Sequence, residues 1–222
     1  MLKLLSGGAM RPLLVEAVPR FERAAAVEVD VRFALTSTLQ KEIEAGADFD
    51  LVLLPRRELE ALCTRGCVAP GTDIARSAVG LCVRAGARRP DIATVAAFKR
   101  ALAAARSLGK SDGPSGAYVS ELLVRLDLAE AMQSKIKLTS GPVAELVARG
   151  EAEIGIQQIV AILPVKGADL VGALPAELQN TIVYAAGLSA HAANADAARA
   201  LIAYLKSAEA AGIIRAKGLQ PG

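Results

Sequence analysis

The sequence predicts an α/β fold with mostly parallel sheets, and three observations lead to this class. Segments with strand character alternate with helix-like segments of about 8–15 residues along most of the chain. Hydrophobic residues make up 53% of the sequence and the formal net charge is only +3, a combination typical of chains that bury a core. The length of 222 residues suits one large domain or two smaller lobes.

In the first half of the chain, each predicted element has its own pattern. Leu14, Val18 and Phe21 recur at spacings of four and three, which places them on one face of a helix. Residues 27–33 alternate between apolar and charged side chains, as in a half-buried strand. Strands are predicted at residues 2–5, 27–33, 50–54 and 79–83, with helices around residues 14–21, 39–43, 58–64 and 94–105.

The second half continues this alternation. Residues 109–114 are predicted as a loop, because Gly, Ser, Asp and Pro dominate there. Pro142 suits the first turn of a helix, and two closing helices are expected after Asn194 and Ser207. Strands are predicted at residues 135–138, 153–156, 169–173 and 181–188, with further helices at 115–126 and 142–149.

The composition argues against several classes of function. One His and three Cys cannot supply a zinc site, so neither a metal nor another cofactor is expected. The balance of 26 Lys+Arg against 23 Asp+Glu lacks the basic surplus of a nucleic-acid-binding protein. With 4 Phe, 3 Tyr and no Trp, little is available to stack on bases or sugars. Hydroxyls, backbone amides and a few charges must therefore carry the chemistry.

No segment is predicted to insert into a membrane. The longest uncharged stretch, residues 178–195, is interrupted by polar side chains, whereas a membrane helix needs about 20 mainly apolar residues. The chain enters a strand pattern directly and shows no signal-peptide pattern. We therefore expect a cytoplasmic protein, or a periplasmic one if the sequence is that of a mature form.

The three cysteines are expected to be reduced thiols that pack in the core. Their number is odd, and Cys63 and Cys67 lie only four positions apart. Those two would share a helical face if the helix reached them both, although Gly66 argues that it stops first. Cys82 falls within a predicted buried strand.

Four predicted strand-to-helix junctions carry small or hydroxyl residues. These junctions are Ser6–Met10, Leu35–Thr38, Asp112–Gly116 and Thr139–Val143. In open α/β sheets ligands bind beyond the carboxyl ends of the strands, where free amides and the helix dipole favour anions. Ordinary helix capping is the alternative interpretation of each junction.

The order of these segments resembles the molybdate-binding, ModA-type branch of the type II periplasmic binding proteins, including its aconitate isomerase-like relatives. The resemblance spans nearly the whole chain and is carried by LKLLSGGAM at the start, residues 34–55, 112–123, 145–156 and 198–218. It implies a two-lobed fold in which each lobe is a mostly parallel sheet flanked by helices, with the ligand cleft between the lobes. Lobe 1 would comprise residues 1–79 plus 183–222, and lobe 2 residues 80–182.

The resemblance also implies which residues hold the ligand. The expected ligand-binding residues are Gly8, Ala9, Met10, Arg11, Thr36, Ser37, Ser115, Ser140 and Gln158. Two side-chain donors of the family are changed, because Ala9 stands where a hydroxyl is expected and Gln158 where a tyrosine is expected. Arg11 is expected to add a planar guanidinium that suits a carboxylate, so we favour a carboxylate or another oxyanion over molybdate.

Several of these side chains could instead have roles that involve no ligand. Arg11 could instead be solvated or form a salt bridge that joins the lobes. Gln157 and Gln158 could be buried amides that satisfy the backbone. His191 is expected at the surface, outside any catalytic role.

Two functions of different kind follow from this reading. The favoured one is a non-catalytic, monomeric binding protein for a small anion, serving an ABC transporter if it is exported. The alternative is a cofactor-independent isomerase that moves a C=C bond in small unsaturated polycarboxylates by allylic proton transfer. Its general base is unknown, since Asp112 and Lys110 lie near the predicted site but also suit turn-forming or surface roles. A ligand-sensing module with a protein partner is a third option.

Overall fold

A computed structural model describes residues 1–112 and 114–222. The chain divides into two compact units. Unit 1 comprises Met1–Ser77 and Ile182–Gly222, and unit 2 comprises Ala78–Thr181. The chain therefore passes from unit 1 to unit 2 after Ser77 and returns after Thr181.

Strands and helices alternate along most of the chain. The strands are β1 (Leu2–Gly7), β2 (Val29–Ala34), β3 (Leu51–Pro55), β4 (Thr72–Ser77), β5 (Val79–Arg84), β6 (Leu108–Ser111), β7 (Ile136–Thr139), β8 (Ile154–Gln158), β9 (Ala168–Ala173), β10 (Ile182–Leu188) and β11 (Leu219–Pro221). The helices are α1 (Arg11–Ala25), α2 (Thr36–Glu44), α3 (Arg56–Thr64), α4 (Val95–Ala104), α5 (Pro114–Arg125), α6 (Ala129–Gln133), α7 (Val143–Ala148), α8 (Ile159–Ile162), α9 (Ala195–Leu205) and α10 (Ala208–Ala216).

Unit 1 is built on a six-stranded sheet with the order β11-β4-β10-β3-β1-β2. Strands β2, β1 and β3 run parallel, while β10 is antiparallel to both β3 and β4, and β11 is antiparallel to β4. The helical spacing of Leu14, Val18 and Phe21 is confirmed, because all three are buried on α1. In β2 the apolar side chains are half-buried and the charged ones exposed, as the alternation predicts.

Unit 2 is built on a five-stranded sheet with the order β7-β6-β8-β5-β9. Strands β7, β6 and β8 run parallel, whereas β5 is antiparallel to both β8 and β9. The apolar core of this unit includes Phe98 from α4 and Leu122 from α5, both fully buried. The parallel strands of each unit therefore end at one side of their sheet, where the helices that follow them begin.

The α/β class, with two sheets flanked by helices, is confirmed. Parallel pairing is confined to three neighbouring strands in each sheet, and the strands next to them turn antiparallel. The loop predicted for residues 109–114 is wrong in its first part, because Leu108–Ser111 form strand β6. Gly109 is needed there, since a Cβ would lie 3.0 Å from Val143 Cγ1 of the covering helix α7. Elements without a sequence prediction are β4, β11, α6 and α8.

A buried carboxylate ties three segments of unit 1 together. Asp50 is 2% exposed, and its Oδ2 accepts hydrogen bonds from the Lys3 N–H at 2.9 Å and from Asn194 Nδ2 at 3.0 Å. Its Oδ1 accepts the Asn194 N–H at 2.8 Å. Burial opposes the charge of Asp50, but these donors outweigh it and hold the pKa below the usual range.

In the described part of the chain, no helix has the length and apolar character that crossing a membrane requires.

Candidate functional site

The first group of predicted site residues lies where β1 and β2 end in unit 1. We call Gly8–Arg11 together with Thr36 and Ser37 the unit 1 cluster. The two strands pair in parallel up to Gly7 and Ala34, so the segments that follow them begin side by side. A Cβ on Gly7 would lie 3.4 Å from Thr36 Oγ1, so the Thr36 hydroxyl lies against the end of β1. The structure therefore brings the two halves of this cluster together.

Arg11 is an exposed cation at the start of α1. Its guanidinium carbon lies 4.1 Å from the centre of the Phe33 ring, a cation–π contact between α1 and β2. Within residues 1–112 and 114–222, no carboxylate pairs with Arg11, and the salt-bridge alternative is therefore not seen there. Phe33 orients the guanidinium plane and leaves its N–H groups available to an anion.

The helices that begin in the unit 1 cluster carry no stabilising group of their own at the N-terminus. Neither α1 nor α2 has a side-chain cap or an acidic residue in its first turn. By contrast, Thr94 caps α4 and Ser207 caps α10. The hydroxyls expected to cap α2 lie inside the helix, because the capping position is Leu35, whose side chain is 74% exposed. The start of α2 therefore leaves N–H groups and a positive dipole end for an anion, whereas α1, whose second residue is Pro12, offers mainly its dipole.

The remaining members of the unit 1 cluster have different environments. Gly8 and Ser37 are exposed and Ala9 is half-buried, so all three are accessible. Met10 is fully buried, so its side chain belongs to the core and only its backbone can face a ligand. The Arg11 N–H already donates to the Gly8 carbonyl in a 3-10 turn. Arg11 therefore has only its side chain to offer.

The second group of predicted site residues lies where β6, β7 and β8 end in unit 2. We call Ser111, Ser115, Ser140, Gln157 and Gln158 the unit 2 cluster. Ser111 Oγ accepts the Gly116 N–H at 3.0 Å and lies 2.8 Å from Ser115 Oγ. When Ser111 donates to Ser115, the Ser115 hydrogen is free for a ligand oxygen. Gly116 is required here, because a Cβ would lie 1.7 Å from the Ser111 carbonyl oxygen.

Ser140 follows β7 in an exposed turn. Thr139 Oγ1 accepts the Gly141 N–H at 3.0 Å and so fixes the backbone on both sides of Ser140. Strands β6 and β7 are paired in parallel with Ser111 opposite Thr139, and the Asp112 N–H donates to the Thr139 carbonyl at 3.1 Å. The turn that contains Ser140 therefore starts beside the hydrogen-bonded pair Ser111 and Ser115.

The two glutamines that end β8 point to opposite faces of the sheet. Gln157 is 5% exposed, and its Oε1 accepts the Val143 N–H at 2.6 Å. The buried-amide alternative is thus correct for this carbonyl group. Gln157 Nε2 is buried and has no hydrogen-bond partner among the described residues. Gln158 is half-buried and lies on the face that carries Ile156 and the core beneath α5.

The structure gives the other candidate residues structural or surface roles. Lys110 Nζ donates to the Gly116 carbonyl at 3.3 Å and also bonds the Ser120 hydroxyl, which holds it against α5. Asp112 and His191 are exposed. Cys82 is buried, and Cys63 and Cys67 are half-buried against a core cluster, so all three take part in packing. In the described part of the chain, no three His, Cys, Asp or Glu side chains group so as to hold a metal ion.

Three features of the two clusters were not assigned from the sequence. Phe33 orients Arg11, Ser111 supports Ser115, and Gln157 carries an unpaired buried N–H group. Phe33 stands three residues before the hydroxyl run that starts at Thr36, a position that could have drawn attention to it. Ser111 fell in the segment predicted as a loop. The hydrogen bonding of the Gln157 side chain depends on how α7 packs, and no sequence pattern indicates it.

The chain is similar to known proteins over its whole length. The family described as bacterial extracellular solute-binding protein matches residues 2–220. An aconitate isomerase from Pseudomonas sp is 34% identical over 229 residues, which cover 99% of this chain and 87% of that protein. The periplasmic molybdate-binding protein of Azotobacter vinelandii has a TM-score of 0.78 at 19% identity and covers 100% of both chains. PEB3 from Campylobacter jejuni, with L-phospholactate bound, has a TM-score of 0.71 at 15% identity and also covers 100% of both chains.

The family match over residues 2–220 agrees with the two helix-flanked sheets and with the segments that carried the sequence resemblance. The structural neighbours show that the fold is that of the type II periplasmic binding proteins. This chain therefore belongs to the bacterial extracellular solute-binding protein family.

Proposed function

We propose that this chain binds a small organic anion with carboxylate groups through the donors of the unit 1 cluster and of the unit 2 cluster. The observation that carries this proposal is Arg11, an exposed guanidinium without a carboxylate partner in the described chain, which lies over the Phe33 ring. An unpaired guanidinium at two uncapped helix starts is complementary to a negative ligand.

The donor set favours a planar carboxylate over a tetrahedral oxyanion. A guanidinium presents parallel N–H groups that match both oxygens of a carboxylate. A hydroxyl at position 9, which would help to surround a tetrahedral anion, is absent because this residue is Ala9. Titration should therefore rank carboxylates above molybdate, whereas the distant neighbour of Azotobacter vinelandii is named for binding molybdate.

The unit 2 cluster offers neutral donors to such an anion. The Ser115 hydroxyl and the turn at Ser140 supply hydrogen-bond donors, and Gln158 can both donate and accept. The unpaired N–H of Gln157 costs about 1–3 kcal/mol while it lacks an acceptor. A ligand oxygen that reached it would recover part of this cost.

Calorimetric titration with trans-aconitate, tricarballylate, citrate, sulfate, molybdate and tungstate tests the proposal. We expect measurable heat with the tricarboxylates and weaker or no binding of the inorganic oxyanions. Binding of molybdate more tightly than of every carboxylate would contradict it, and so would the absence of heat with all six anions.

A second candidate function is isomerisation of a bound unsaturated tricarboxylate. It is favoured by the 34% identity to an aconitate isomerase over 99% of this chain. In this reaction a proton leaves the allylic CH2 carbon, the electron pair spreads over the former C=C bond, and a proton returns at its far carbon. Cationic and neutral donors on the carboxylates would stabilise the intermediate anion, a role open to Arg11, Thr36 and Ser115. Lys110 is unsuited as the free base, because its ammonium group is bonded within unit 2.

Proton NMR of trans-aconitate in D2O with the protein at high concentration separates the two functions. Isomerisation produces cis-aconitate signals and exchanges deuterium into the allylic position. Unchanged spectra together with calorimetric binding would leave the binding function alone. The same spectra with the Arg11→Ala variant connect any activity to the unit 1 cluster.

The cellular setting follows from these functions. As a binding protein the chain would act outside the cytoplasm, as the family description states for its members, and deliver its anion to an ABC transporter. As an isomerase it needs no transporter. We propose a monomer in both settings, and light scattering at micromolar concentration checks this.

A further inference from the structure

A cavity lies within unit 2, away from the unit 2 cluster. Its volume is about 520 Å³, and it is lined by residues at the start of β8, the end of β5 and one face of α4. The unit 2 cluster stands where β6 and β8 end, whereas this cavity borders Glu153 and Ile154, where β8 begins. The two features therefore lie at opposite ends of the same strands.

The floor of the cavity is apolar and made of small residues. On α4, Ala97, Ala101 and Ala104 follow the spacing of one helical face, and alanine side chains leave room beside the sheet. Val83 and Ile154 close the floor, exposed by 2% and 4%. A volume of this size lies within the range of small-molecule sites.

The rim of the cavity carries two arginines that no described carboxylate pairs. Arg88, in the segment after β5, and Arg100, on α4, are both exposed lining residues. Among residues 1–112 and 114–222, neither has a carboxylate within salt-bridge distance, whereas Arg89 pairs with Asp169 at 3.4 Å. We call this feature the Arg88–Arg100 cavity.

The two carboxylates at the rim are already engaged. Glu153 Oε2 accepts the Arg106 N–H at 2.6 Å and its Nε at 3.3 Å. Asp91 Oδ1 accepts the Ala93 N–H at 3.0 Å. The rim therefore carries two cations, Arg88 and Arg100, against one carboxylate, Asp91, that no described cation pairs, above an apolar floor.

We propose that the Arg88–Arg100 cavity binds an organic anion with a compact apolar body and a single carboxylate or phosphate group. The guanidinium groups would hold the oxygens of the headgroup, a geometry that suits either anion. The apolar body would cover the alanine face, where burial of apolar area adds affinity. This site is separate from the proposed carboxylate site and does not depend on it.

Amide NMR titrations of the full chain with benzoate and phenyl phosphate test this assignment. We expect saturable shifts of Ala97, Ala101 and Ile154 with at least one of these probes, at millimolar concentration and low salt. Benzyl alcohol, which lacks the charge, and inorganic phosphate, which lacks the apolar body, should bind at least tenfold more weakly. Comparison of the Kd for benzoate with the Kd for phenyl phosphate identifies the preferred headgroup.

Variants connect the shifts to the cavity. The double variant Arg88→Ala/Arg100→Ala should raise the Kd of the preferred probe at least tenfold, while Ala101→Leu, which keeps all charges, should fill the floor and have a similar effect. The matched control is Arg23→Ala/Arg215→Ala, which removes two exposed, unpaired arginines of unit 1 and should leave the Kd within twofold. Binding of tricarboxylates at the unit 1 cluster should not change in either double variant.

Three results would overturn the proposal. These are absence of saturable shifts at the cavity with both probes, an unchanged Kd in the double variant, and binding of inorganic phosphate as tight as that of phenyl phosphate. Thermal melts verify that Ala101→Leu is folded. If Ala101→Leu does not fold, the Arg88→Ala/Arg100→Ala variant, which changes only exposed side chains, tests the proposal independently.

Discussion

Removal of the Arg11 guanidinium should separate binding from stability. In the structure Arg11 has one described partner, the Phe33 ring at 4.1 Å, and an exposed cation–π contact is worth about 0.5–1 kcal/mol. A charge-assisted contact with a ligand is worth about 1.5–3 kcal/mol. The Arg11→Ala variant should therefore lose about 10- to 150-fold in affinity for a tricarboxylate. Its free energy of unfolding should fall by about 1 kcal/mol at most.

Calorimetry with tricarballylate gives the affinity, and urea unfolding gives the stability. Arg11→Lys keeps the charge but lacks the planar fork, so its affinity should lie between those of Arg11→Ala and the unchanged protein. Arg23→Ala is the matched control, since Arg23 is an exposed arginine near the opposite end of the same helix. An Arg11→Ala Kd within twofold of the unchanged protein would refute a role in binding. An equal loss of affinity in Arg23→Ala would show that the effect comes from the net charge of the protein and not from a contact of Arg11 with the ligand.

Three further predictions concern stability, the unit 2 cluster and the thiols. Asp50→Asn should lower the free energy of unfolding by about 3 kcal/mol at pH 7, because buried donors lose a charged acceptor. Since the pKa of Asp50 is depressed in the folded state, its contribution is present above its unfolded pKa of about 3.9 and is lost as the pH falls through the folded pKa. Urea unfolding between pH 7 and pH 2 should therefore show a smaller loss for Asp50→Asn than for the unchanged protein, and parallel curves would contradict this. Gly116→Ala should cost about 1–3 kcal/mol and weaken tricarboxylate binding, because its Cβ would lie 1.7 Å from a carbonyl oxygen. Gly212→Ala, in α10 with open space around the new Cβ, should be neutral or stabilising in the same denaturation and calorimetry experiments, and equal losses in both would reject the steric reason. Burial raises the pKa of the Cys82 thiol to about 12, so iodoacetamide at pH 8 should modify Cys63 and Cys67 in the folded protein and Cys82 only after unfolding. Mass spectrometry of the modified peptides measures this, and modification of Cys82 at the same rate as the other two would contradict it.

The predicted elements were most accurate where one face of a segment is buried. The spacing of Leu14, Val18 and Phe21 and the alternation in β2 both report burial by a single neighbouring layer, so the pattern of the segment itself contains the information. Strand β6 was missed for the opposite reason. Gly109 reads as a loop residue, yet it is small because α7 packs directly on it.

The candidate site divides in a similar way. Arg11 was expected from its place at a strand-to-helix junction, and Thr36, Ser115 and Ser140 from the family resemblance. The structure places all four where parallel strands end. Their hydrogen-bond states could not be predicted, because those depend on partners from other segments. Lys110 illustrates this, since the bonds to Gly116 and Ser120 arise only when α5 packs against β6.

The sequence by itself determined the α/β class and most of the helices and strands, because composition and periodicity are local properties. Only the tertiary structure decided which strands are neighbours, that Phe33 faces Arg11, that Gln157 Nε2 lacks a partner among the described residues, and that alanines of α4 line a cavity together with Arg88 and Arg100. The physical reason is that these features are contacts or spaces between segments far apart along the chain. They come into existence only when helices pack on sheets, and no single segment records them.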